Sequence, residues 1–285
     1  MNALTVDVED YYQTNGLNTP VDSWSGYVNR VEYNTFRLLE CFQKHQVKGT
    51  FFIVGNIAER FPALVKRIVN EGHEIGSHSN MHRILNEMNS KSFREDIRTS
   101  KQLLEQISGE AVVQYRAPSW SLTSDKYEWL GILEEEGYRI DSSIQPFRTP
   151  LGGSTNAPII PFRPVINGKP YSIVEYPSTI WTWGALRIPF AGGLYLRIMP
   201  LKMIARFLQS VNESRTGMIY IHPWEIDPEQ PRISTSLLYR FAQYYRLSAT
   251  EGKLDWLLGQ FNFHPLSYVI DTLSRESKIP NVILK

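Results

Sequence analysis

The chain of 285 residues has one cysteine, Cys41, which excludes an intrachain disulfide and any Cys-rich zinc site. Cys41 itself, beside Phe36, Leu38, Leu39 and Phe42, reads as a small buried hydrophobe. Long apolar runs are missing as well. Stretches such as Phe51-Phe52-Ile53-Val54 fall far short of the roughly 20 residues a membrane helix needs. Neither sign of charge dominates: 30 Lys+Arg face 29 Asp+Glu, a formal net charge of +1, which argues against nucleic acid as the main partner. The opening MNALTVDVEDYY has no basic segment and no apolar core, so it does not read as a signal peptide, and a cytoplasmic protein is expected. There is no G-x-S-x-G elbow, P-loop or G-x-G-x-x-G.

What is present is ordinary globular material, 42% hydrophobic and 21% charged, with 7 Trp and 15 Tyr whose rings suit sugar grooves and cores alike. Strand-like runs at 3–8, 50–54, 73–77, 111–115 and 138–140 alternate with helical periodicity at 29–45, 56–71, 90–108 and 125–136. That rhythm predicts an α/β fold with parallel strands. The segment 145–200 is rich in Pro and Gly, contains one strand signal at 171–176, and carries Trp181 and Trp183 two residues apart. It reads as an ordered insertion whose two tryptophans would share one face of a strand, as a platform for a sugar ring. A helix at 200–213, a strand at 218–221 and helices at 234–247 and 251–259 precede an irregular tail.

Chemistry-bearing residues collect at strand ends. Asp7-Val8-Glu9-Asp10 closes the first strand, and carboxylates so crowded favour a cation between them. His78 and His82 stand four apart, which on a helical turn puts both imidazoles on one face toward a divalent metal. Arg116, Asp141 and His222 each follow a strand, and a histidine there suits a general acid.

The series Asp7…Glu9-Asp10, His78-Ser-Asn-Met-His82, Arg116-Ala-Pro118, Asp141-Ser-Ser and Ile219-Tyr-Ile-His222 resembles the five motifs of the polysaccharide deacetylase family, the NodB homology domain or carbohydrate esterase family 4. The segments 148–153, 189–193 and 222–232 resemble a subfamily associated with exopolysaccharide and exosortase gene clusters. The resemblance implies one domain over 1–285, a deformed (β/α) barrel with the insertion and a C-terminal extension from about residue 145. It implies a divalent metal, zinc above all, held by His78, His82 and one acid, Glu9 or Asp10, with Asp10 the usual ligand type. Asp7 would be the base, Arg116 its charge partner, His222 the acid and Asp141 the group that tunes His222. Trp120, Trp181, Trp183 and Trp224 would face an N-acetylated oligo- or polysaccharide, which would lose acetate. Two rivals are an amidohydrolase of a small amide or cyclic imide and a catalytically silent carbohydrate-binding relative. Oligomeric state, sugar and linkage are not legible.

Overall fold

Alternation along the first strand decides which side chains face the middle of the molecule. In Asn2–Val8 the side chains of Leu4, Val6 and Val8 join a large apolar layer with Phe51, Ile53, Ile219, Ile221 and helix residues such as Leu38 and Phe42. Ala3 instead joins Phe52, Ile140, Val174, Met218 and Tyr220 in a second cluster. Side chains two apart on a strand share a face, so one face of the sheet packs on helices and the other lines a barrel interior. The computed structural model describes residues 1–284.

All strands of the main sheet run parallel. Their order is Gly217–Ile221, Asn2–Val8, Thr50–Ile53, Glu74–Ser77, Gln114–Tyr115, Ile140–Asp141 and Val174–Glu175, with Phe263–His264 paired to the start of Asn2–Val8. Among the described residues no backbone ladder joins Val174–Glu175 to Gly217–Ile221. Side chains bridge that seam: the Tyr176 hydroxyl donates to the Gly217 carbonyl (3.0 Å), and the Met218 N–H donates to Thr179 Oγ1 (2.7 Å). The result is the expected deformed barrel, with Asp7, His78, Arg116, Asp141 and His222 at or just past the C-terminal ends of its strands.

Helices follow the expected periodicity where caps are clear, as in Ser90–Ser108, boxed by Asn89 and stopped by left-handed Gly109. Several expectations fail in detail: the strand expected at 111–115 is only Gln114–Tyr115, and the insertion holds further strands at Arg163–Ile166, Ile180–Trp183 and Leu186–Pro189. The single helix expected from Asn56 is two, Gly55–Arg60 and Pro62–Asn70, because Pro62 lacks the N–H that would continue the first. The strand expected at 171–176 shrinks to Val174–Glu175. The tail is ordered, with a helix at Leu266–Arg275 and a strand at Asn281–Leu284 paired to Arg163–Ile166. No described helix is long and apolar enough to cross a membrane.

Trp181 and Trp183 lie on Ile180–Trp183, which forms an antiparallel hairpin with Leu186–Pro189. Neither lines the central cleft. The Trp181 ring stacks on Phe207 (4.5 Å, 9° between planes) and its Nε1 donates to Ser210, whereas Trp183 is 74% exposed at the hairpin tip. The sugar platform expected of this pair is therefore corrected: Trp181 packs the insertion onto the helix Leu201–Asn212. We expect Trp181→Ala to lower stability by about 1–3 kcal/mol in urea titrations, and Trp183→Ala to stay within about 0.5 kcal/mol. Neither should change KM for an oligosaccharide.

Candidate active site

The inner-face parity of the first strand continues past its end, from Thr5 through Asp7 to Glu9, and carries the acids into the barrel mouth. Asp7, Glu9, His78 and His82 are all buried to within a few per cent. The stretch after Glu74–Ser77 is not helical: Ser79 and His82 take left-handed φ of 66° and 52°. The loop nonetheless brings the two imidazoles to a centroid distance of 5.0 Å. The i, i+4 spacing thus anticipates the contact of the two rings, but through a helical turn that does not form.

Backbone carbonyls fix both tautomers. His78 Nδ1 donates to the Arg116 carbonyl (2.8 Å) and His82 Nδ1 to the Gln13 carbonyl (2.9 Å), which leaves both Nε2 lone pairs free. Glu9 Oε1 accepts from Trp224 Nε1 (2.9 Å), while Glu9 Oε2 has no hydrogen-bond donor and lies against His82 Nε2. Two acceptor atoms so placed repel unless a proton or a cation stands between them. Burial alone would raise the Glu9 pKa, yet the imidazoles facing it, His82 first, then His222 and His78, favour its carboxylate form and bring it to about 2. Burial lowers His78 to about 4. The ligand atoms of Glu9, His78 and His82 lie within 4.8 Å of one another, a donor set that suits a divalent cation with open positions.

Asp10 is not part of that group. Its side chain turns off the inner face and accepts from the backbone N–H of Tyr11 (2.9 Å), Arg30 (2.8 Å) and Val31 (3.1 Å), capping the turn Tyr11–Gln13. Of the two acids left open in the first motif, the structure brings Glu9, and not Asp10, to His78 and His82.

Arg116 is completely buried in the barrel. Its guanidinium donates to Asp7 Oδ1 (2.6 Å), Thr5 Oγ1 (2.9 Å) and Ser142, and lies 4.2 Å from the Phe52 ring and 4.5 Å from the Trp120 ring. A buried guanidinium is tolerated because a carboxylate and several acceptors surround it. The other oxygen, Asp7 Oδ2, is 3.8 Å from His222 Nε2 and 4.0 Å from His78 Nε2.

His222 is oriented by a residue that the motif reading did not name. Glu225 Oε2 accepts from His222 Nδ1 (2.9 Å), and Glu225 Oε1 accepts from buried Arg197 (3.0 Å). Burial would lower the His222 pKa, yet the Glu225 hydrogen bond, with the charges of Glu225, Glu9 and Asp7, raises it to about 9. Asp141, expected to tune His222, instead pairs with Glu175 on the neighbouring strand and accepts from Ser143. Burial raises the pKa of both carboxyls, and adjacent Asp141 pushes Glu175 further up. The one sequence signal for Glu225 was its place three residues after His222.

The cleft above these groups is lined by Trp120, Tyr220, Trp224, Leu151, Tyr195 and Tyr239, among others. Ser119 and Trp120 both adopt left-handed φ (54° and 50°), a strained turn that seats the Trp120 ring 4.4 Å from Tyr220. The Trp120 Nε1 is buried without a partner. Trp224 stacks on His222 (5.1 Å) while holding Glu9. Gly192 is required here, because a Cβ would come 2.4 Å from the Tyr220 carbonyl oxygen and ring.

Residues 22–139 match the polysaccharide deacetylase family. Over 95 residues the chain is 37% identical to a peptidoglycan-N-acetylglucosamine deacetylase of Bacillus cereus, covering 33% of this chain and 34% of that one. Over residues 22–139 the chain is thus similar to the polysaccharide deacetylase family. It is also 28% identical to a peptidoglycan deacetylase of Helicobacter pylori over 153 residues, half of either chain. The chain thus spans between a third and a half of the length of these curated relatives. In fold it resembles a candidate polysaccharide deacetylase of Mycobacterium smegmatis (TM-score 0.64, 18% identity, 99% of this chain and 93% of that one). It also resembles a pseudoenzyme of carbohydrate esterase family 4 from Bacillus anthracis (TM-score 0.51, 15% identity, 99% and 66%).

Residues 142–271 match a second family, a domain of unknown function designated DUF3473. The two matched segments share one sheet, since Gly217–Ile221 pairs with Asn2–Val8, which in turn pairs with Thr50–Ile53. The segment of unknown function supplies His222, Trp224, Glu225 and Arg197 to the site.

Proposed function

We propose that the protein removes acetyl groups from N-acetylhexosamine units of a polysaccharide or its precursor, releasing acetate, with a divalent metal, zinc by expectation. The observation that carries this reading is the set Glu9, His78 and His82 beside two further titratable groups, Asp7 and His222, at the floor of one cleft. Glu9, His78 and His82 would hold the cation, which supplies Lewis-acid polarisation to the amide and the attacking water. Asp7, its Oδ1 fixed by Arg116, keeps Oδ2 free to take the proton of that water. His222 is cationic at neutral pH through Glu225 and donates from Nε2 to the departing amine nitrogen. Trp120, Tyr220 and Trp224 bound the space left for the sugar.

The test is acetate release from N-acetylglucosamine oligomers by the zinc-loaded protein. Turnover supports the reading. Its absence together with hydrolysis of a cyclic imide would replace it by the small-amide alternative, and absence of both would leave the silent relative. A finer check concerns Glu225. His222 must be protonated to act as the acid, so activity falls as pH rises through its pKa. Glu225→Gln removes the group that raises that pKa, and we expect the alkaline limb of the kcat profile to move down by about one to two pH units.

A further inference from the structure

The helix Leu237–Tyr244 has two contrasting sides. Tyr239, Ala242 and Gln243 line the cleft, and Arg197 fastens the end of the helix by donating to the carbonyls of Ala242, Gln243 and Tyr245. On the other side Leu237, Leu238, Phe241 and Tyr245 are 82%, 64%, 46% and 39% exposed. At 100° per residue these four fall within one arc of about 100°, opposite the cleft-lining arc. A monomer gains nothing by presenting two leucines and a phenylalanine to water on so short a helix.

The segment that carries the helix has charge of one sign. Between Glu229 and Glu251 the sequence has three arginines, Arg232, Arg240 and Arg246, and no carboxylate. Among the described residues none of the three forms an ion pair; Arg232 lies over the Tyr244 ring at 4.2 Å. Arg232 and Arg240 line one groove with Leu237, Phe241 and Tyr245, and apolar side chains beside unpaired arginines complement an anionic phospholipid surface, where leucine and phenylalanine enter the acyl boundary and arginines meet phosphates. A second copy of the chain suits the patch poorly. A two-fold contact would bring like charges together, and the outer side of a two-turn helix is far below the roughly 1,200 Å² that a stable dimer buries.

We propose that the outer face of Leu237–Tyr244 docks the protein on an anionic lipid bilayer. Because the same helix forms one wall of the cleft, docking holds the cleft about one helix diameter, roughly 10 Å, from the headgroups. Taken with the proposed reaction, this favours glycans tethered to lipid over free polymer. The docking claim stands apart from that reaction, because the experiment is read without substrate.

The experiment is flotation of the full-length protein with vesicles of phosphatidylcholine alone or with 40% phosphatidylglycerol. The wild type should float with the anionic vesicles only, and less so as salt rises. Leu237→Ser combined with Phe241→Ser, at exposed positions and with circular dichroism unchanged, should weaken binding about tenfold or more. Arg240→Glu should weaken it at low salt. A wild type that ignores anionic vesicles would overturn the proposal. So would a double variant that binds like wild type, or loss of binding through Trp183→Ser instead, which would move the contact to the hairpin tip. A wild-type dimer by light scattering that the double variant dissolves, without vesicle binding in either, would assign the patch to self-association and also overturn it.

Discussion

Glu9→Gln should weaken zinc or cobalt binding by roughly a hundredfold or more in calorimetric titration, while Asp10→Asn should leave it nearly unchanged. Glu9 Oε2 is the one anionic atom of the three-ligand group, and it faces a nitrogen lone pair that cannot donate to it. A neutral amide there removes the charge that makes the group attract a cation. Asp10→Asn acts elsewhere. It weakens three contacts to backbone N–H groups and should cost about 1–2 kcal/mol of stability. Metal content lost with Asp10→Asn and kept with Glu9→Gln would place the cation in the other register. His78→Ala and His82→Ala should each resemble Glu9→Gln.

Asp7→Asn and His222→Ala are expected to lower kcat by roughly 10²–10⁴-fold each, with the fold intact. The choice of Asn matters. Asp7 is the carboxylate that faces buried Arg116, so truncation to Ala would leave an uncompensated guanidinium and cost about 3–5 kcal/mol, confusing chemistry with unfolding. Asn keeps an acceptor for Arg116 but gives up basicity at Oδ2. His222→Ala leaves Glu225 paired with Arg197, so the neighbouring charge stays satisfied. Steady-state acetate release measures both. Wild-type turnover in either variant would remove that residue from the reaction.

Much of the fold was legible because strand and helix periods are imposed by burial on both sides of a parallel sheet, as in Val6, Val8, Phe51 and Ile53. The same period bears on the first motif: Thr5, Asp7 and Glu9 keep parity, and Asp10 breaks it. Residue type pointed to Asp10, and strand geometry overrode it. His78 and His82 were found by a spacing rule whose helix does not form, since contact was made by a loop with two left-handed residues. Arg197 was missed because its link to Glu225 joins a helix to a distant turn, and no local pattern records a contact between residues 28 apart. Trp181 was misplaced because an exposed platform and a packed ring share one sequence signature. Only Phe207, brought up by tertiary structure, distinguishes them.

The pairing of Gly217–Ile221 with Asn2–Val8 also bears on how such a chain can change over generations. A cut near residue 141 would strip the first strand of a neighbour and expose a flat, apolar edge that invites sticking to other chains. It would also part Glu9 from Trp224 and Asp7 from His222. The two segments therefore cannot be shuffled as separate modules. A half borrowed from a relative would have to match its new neighbour across five register positions, from Asn2 opposite Gly217 to Val6 opposite Ile221, before His222 met Asp7. Inheritance of the two halves together is the outcome this sheet enforces.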